Sequence, residues 1–164
     1  MGDWTGTVPT FLVGKLYADD MDTMADIDTA LVTAWTTWTP TLTNLTLGSG
    51  TVTAKYRRFG KTVDYRFKFV FGAGSAVGTS PQFTLPVNLA ADYYAVVNST
   101  VVGFGVLLDS GTATRQCHAL PQSATTLAIN TVSATAGFAD ITTTSPWTWT
   151  TNDSLFIQGT YEAA

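Results

Sequence analysis

Residues 55–71 read KYRRFGKTVDYRFKFVF and carry six of the eight Lys and Arg residues of the 164-residue chain. Two alternating segments flank Gly60-Lys61, a two-residue loop with glycine at its first central position, which suits a type II′ turn. That loop sets a register in which Phe59 faces Thr62, Arg58 faces Val63, Arg57 faces Asp64, Tyr56 faces Tyr65, Lys55 faces Arg66 and Ala54 faces Phe67. Period-two alternation then gives one apolar, aromatic face and one face bearing Lys55, Arg57, Asp64, Arg66 and Lys68. Lys55 directly opposite Arg66 is unfavourable unless solvent, a carboxylate of the same or a neighbouring subunit, or a ligand compensates. The stretch predicts a β-hairpin, and with it an antiparallel sheet.

From Trp35 onward the pattern is that of strands: 36–47, 51–59, 62–71, 82–87, 93–97, 100–108, 112–119, 125–131, 137–142 and 153–161. Between them lie Gly48-Ser49-Gly50, Gly60-Lys61, a loop over 72–81, Asp109-Ser110-Gly111, Pro121-Gln122-Ser123 and Asn152-Asp153, all rich in turn formers. Many short strands with polar turns predict a mainly β fold, an antiparallel jelly-roll-like β-sandwich over 36–164. Gly103 and Gly105 interrupt the apolar strand VVGFGVLL, which marks a bend, a close backbone approach or tight packing near a symmetry axis.

Residues 1–35 differ from the rest. The segment 1–18 has no lasting period and predicts an extended arm. Over 19–34, Asp19 or Asp20 can cap a short α-helix, and Met21, Met24, Ile27, Leu31 and Trp35 follow a three-or-four spacing. The expectation is an N-terminal anchoring arm and helix. Val8, Phe11, Leu12, Val13, Leu16 and Tyr17 would supply the anchor contacts, and Met24, Ile27, Leu31 and Trp35 an oligomer-packing seam.

Composition narrows the function. Only 12% of residues are charged, about half the usual share, while 45% are hydrophobic and 31 are threonine. A surface so weakly charged favours burial against copies of itself or a larger assembly. A net charge of −4 opposes general nucleic-acid binding. One cysteine excludes an internal disulfide. No apolar run reaches the length of a membrane span, and no signal-peptide plan opens the chain, so assembly in a cytoplasm is expected.

Catalytic patterns are not found. His118 is the single histidine, and on one strand its neighbour Cys117 points to the opposite face, so the two form no nucleophile–base pair. Asp19, Asp20, Asp22, Asp26 and Asp28 fall on the expected helix rather than a metal-binding loop. Asp92, Asp109, Asp140 and Asp153 adjoin turn signals, where Asp serves the local backbone. Glu162 is the one glutamate, which leaves no paired carboxylates for glycoside hydrolysis. No catalytic residue, cofactor or metal is expected. Trp147 and Trp149 alternate after Pro146, and two such rings on one face can stack on a sugar or pack a subunit interface.

The stretch from Trp35 to Val87 resembles the recurring domain of small tail-fibre, minor tail and head-decoration proteins of tailed bacteriophages, especially those of actinobacteria. The similarity rests on Trp38, Pro40, Thr41 and Leu42, the Gly-x-Gly-Thr-Val turn, the Tyr-Arg-Arg-x-Gly-Lys-Thr-Val hairpin, Leu85-Pro86, and the closing Pro-Trp-x-Trp, Asp-x-Leu and Gly-Thr-Tyr-Glu. Pro9 to Phe11, followed by a short helix, is similar to the attachment region of those proteins. The resemblance implies a trimeric β-sandwich on a virion surface, held to capsid or tail proteins through its N-terminus. The combined expectation is a homo-oligomeric capsid decoration or minor tail/fibre protein. The alternative is a receptor- or carbohydrate-binding tip that recognises a host surface glycan.

Overall fold

The computed structural model describes residues 34–96, 99–133 and 137–164. The expected arm and helix, with Val8, Phe11, Leu12, Val13, Leu16, Tyr17, Met24, Ile27 and Leu31, lie outside the described residues. From Trp35 on, the chain forms one unit. It is mainly β: ten strands in a single antiparallel, curled sheet.

The strands are β1 (Thr36–Thr37), β2 (Leu42–Thr46), β3 (Thr51–Phe59), β4 (Thr62–Val70), β5 (Ala76–Thr84), β6 (Gly103–Asp109), β7 (Ala113–Ser123), β8 (Thr126–Ser133), β9 (Gly137–Asp140) and β10 (Ser154–Glu162). Their order is β1-β3-β4-β10-β6-β7-β8-β5-β2, with β9 alongside β8. The opening hairpin forms with every pair of the expected register, from Phe59 against Thr62 to Ala54 against Phe67. Gly60 turns it at φ 56°. In β4, Val63, Tyr65, Phe67 and Phe69 are buried while Arg66 and Lys68 are exposed, the alternation that a half-buried strand requires.

One chain segment joins the two ends of the sheet. β1 pairs with β3, β2 pairs with β5, and only Trp38 to Thr41 separate them. The single strand expected over 36–47 is therefore two, because Pro40 has no N–H for a ladder and redirects the chain. Trp38 secures the corner: its backbone N–H donates to the Ala54 carbonyl at 3.1 Å, and its indole Nε1 donates to the Thr84 carbonyl at 3.1 Å. Curling brings the inner face against itself. Phe67 of β4 stacks on Phe83 of β5 with ring centroids 4.3 Å apart, and Tyr65 contacts both Phe83 and Tyr161.

Two local expectations need correction. β5 occupies much of the expected 72–81 loop. Gly78, Ser80 and Pro81 resemble a turn, but they sit at a register shift between Thr43 and Leu45, where Asn44 and Ser80 both take positive φ. The Ser80 N–H leaves the ladder to reach the Ile141 carbonyl at 2.9 Å, and Pro81 falls where a missing donor costs little. The strand expected over 93–97 is also absent among its described residues. A 3-10 turn at Ala91–Tyr93 replaces it, with Tyr93 and Tyr94 packed against the core. A short apolar run without periodicity does not distinguish the two.

Candidate functional site

The outer face of the sheet gathers the side chains that the core does not use. Across β3, β4, β10, β6, β7, β8 and β9, the pairing lines up Lys55, Arg66, Gln158, Phe104, His118, Asn130 and Asp140 as one transverse row. Alternation directs the whole row outward. The row is basic on β3 and β4, and from β6 onward it is flanked by the apolar side chains Val106, Leu108, Val132 and Phe138.

On the basic side, Arg57 Nε donates to Asp64 Oδ2 at 2.8 Å, and the Thr160 hydroxyl donates to Asp64 Oδ1 at 2.6 Å. The Thr160 hydrogen bond, aided by Arg57, holds the Asp64 carboxyl below the usual carboxylate range against the opposing effect of burial. Among the described residues no carboxylate pairs with Lys55 or Arg66. Instead the Arg66 guanidinium lies over the Trp35 ring, 3.7 Å from its centroid, with Arg57 at 5.2 Å from the same ring. Cation–π attraction thus gives Arg66 a partner within its own chain. Trp35, expected in an oligomer seam, is placed beneath two arginines of its own chain. Trp35, Phe104, Arg66, Gln158 and Thr160 surround a cleft of about 630 Å³ floored by Gly103 and Gly159.

The apolar side is broader. Phe104 is 63% exposed, and Val106, Leu108, Val132 and Phe138 are between 37% and 42% exposed. His118 lies between two rings, with centroids 5.2 Å from Phe104 and 5.3 Å from Phe138. Burial there holds its imidazole below the ordinary histidine range. Beside it, Asn130 is 7% exposed and donates from Nδ2 to Asp140 Oδ1 at 3.0 Å. Asn130 Oδ1 and His118 Nδ1 are buried without hydrogen-bond partners.

Comparison of the chain with protein-family models, with curated proteins and with solved structures finds no match.

The remaining candidates have structural roles. Cys117 faces inward and is fully buried, which pushes its thiol up to about 12 and leaves it a poor nucleophile. His118 is on the opposite face, as alternation requires. Trp147 and Trp149 do not alternate along a strand; they lie in the 141–153 connection after a cis Ser145–Pro146 bond. Trp149 stacks on Phe71 with centroids 4.9 Å apart, and its Nε1 donates to the Thr142 carbonyl at 3.0 Å. The pair packs against the core. Among the described residues, no three His, Cys, Asp or Glu side chains converge as a metal site would need. The apolar face itself was legible only in part: sequence marked Gly103 and Gly105, but not that Phe104, between them, and Val106, after them, project outward.

Proposed function

We propose that this chain is a bacteriophage virion structural protein, a self-associating surface knob with a jelly-roll-like domain. It would form a trimer and join the particle through residues 1–35, as a capsid decoration or minor tail/fibre protein. The observation that carries this reading is the hairpin-centred stretch from Trp35 to Val87. The stretch resembles the recurring domain of such phage proteins, and its hairpin register is the one its sequence predicts. The apolar half of the outer face, with several large apolar side chains in solvent, supports a role in which area is buried against other subunits.

The test is location. Purified particles of a phage encoding the chain should carry it in stoichiometric amounts, detected by mass spectrometry and by labelling in electron micrographs. Particles lacking it should recover it when the full chain is added, but not when a chain without residues 1–34 is added. Absence from purified particles rejects the reading. Full decoration by the truncated chain places the anchor in the β-domain.

One observation favours a second reading, a tip that binds a host glycan. The Trp35 cleft combines aromatic edges with the Arg66 fork and the Gln158 and Thr160 side chains, a mixture suited to a polar ring. Glycan retention that is lost in Gln158→Ala and kept in Trp149→Phe would favour that reading and locate it in the cleft.

A further inference from the structure

The outer face carries a projection and a hollow side by side. Phe104 stands out from β6. Next to it is a recess of about 510 Å³ lined by Gly105, Val106, Gln116, His118 and Phe156. Phe104 itself forms one wall of the recess, and Gly105, whose backbone lies close against the Phe156 carbonyl of β10, contributes no side chain to it. Around both, the apolar band runs from β10 to β9, four interstrand spacings or roughly 19 Å. That width suits the apolar centre of an interface that buries about 800 Å² per partner.

We propose that this face is where copies of the chain meet, the Phe104 ring of one copy entering the recess over Gly105 of the next. This deepens the self-associating knob by naming its contact surface. The occupant is a second copy because the two complementary shapes belong to the same patch, so symmetry alone supplies each with its partner. Charge agrees. The outward positions between β6 and β9 carry no Lys, Arg or Glu, Arg115 of β7 alternating to the other face opposite Leu107, and Asp140 at the margin is bonded to Asn130, so copies approach without like-charge repulsion. Lys55, Arg66 and Lys68 remain on the wet rim.

The test is sedimentation equilibrium of the full chain at micromolar concentration, with melting curves confirming that each variant is folded. The wild-type chain should sediment as a multiple of 17.5 kDa. Phe104→Glu places a charge on a side chain already in solvent, and it should weaken association at least tenfold. The double variant Val132→Glu, Phe138→Glu should do the same from the other side of the band. Phe59→Glu, at the hairpin tip and also solvent-exposed, should leave the mass unchanged. A wild-type monomer overturns the proposal, as does unchanged association in both the Phe104 and the Val132, Phe138 variants. The virion reading fails separately: a chain that associates through this face yet is missing from particles keeps the interface and loses the particle.

Discussion

Asp153 closes the turn signal Asn152-Asp153 and has no exposed surface. Its Oδ1 accepts the Ser110 N–H at 2.9 Å, and its Oδ2 accepts the Thr150 N–H at 2.6 Å. One carboxylate thereby ties the β6–β7 turn to the entry of β10. Asp153→Ala leaves two backbone donors without their acceptor, and the expected loss is about 3 kcal/mol in denaturant unfolding. A loss below about 1 kcal/mol would show that water takes over both donors. His118 supplies a pH dependence. Its burial between Phe104 and Phe138 favours the neutral ring, so the unfolded chain takes up a proton at a higher pH than the folded chain does. That contribution is complete above the ordinary histidine value near 6.5 and is lost as pH falls below it. His118→Phe should flatten the difference in melting temperature between pH 7.5 and pH 5.5. An equal slope in both proteins would assign the acid sensitivity to carboxylates.

The elements divide by what their residues had to satisfy. The β3–β4 hairpin was legible to the single residue because its turn and its alternation agree, and a one-residue slip would drive Arg66 and Lys68 into the core. β5 was not, because Gly78, Ser80 and Pro81 satisfy a bulge whose other half, Asn44, lies more than thirty residues away in sequence. The basic face of the hairpin is legible in its alternation, but its contact with Trp35 is not, since that ring lies outside the hairpin, before β1, and leaves no local signal in it. The glycines of β6 were noticed, and their cause is now plain: close backbone approach within the chain. Gly103 lies under the Tyr65 hydroxyl and Gly105 against the Phe156 carbonyl. Gly105→Ala has no room, and it should destabilise the domain by more than about 3 kcal/mol. Gly111→Ala meets open space at φ 81° and should cost only about 1 kcal/mol from the left-handed backbone. Chemical denaturation of the two variants compares a steric with a conformational penalty, and equal losses would refute the close-approach account.

For the whole molecule, closure depends on contacts far apart in the chain. β10 forms nine residue pairs with β4 and five with β6, so it is an interior strand and not an edge. β1 and β2 close the other boundary across the Trp38 corner. A sheet of this topology gains little from its first half alone, because most of its pairings are long-range and must wait for loop closure. Synthesis imposes an order on that wait. Until residues 154–162 have cleared the ribosome, β4 and β6 have no strand between them and their facing edges are open. A nascent chain arrested before Ser154 should remain protease-sensitive, whereas one arrested some forty residues beyond Ala164, roughly the reach of the exit tunnel at about 3.3 Å per residue, should be resistant. During that interval the open edges are exposed to neighbouring nascent chains on the same message. The position of one strand thus makes translation speed through the end of the domain a determinant of how much protein is recovered folded.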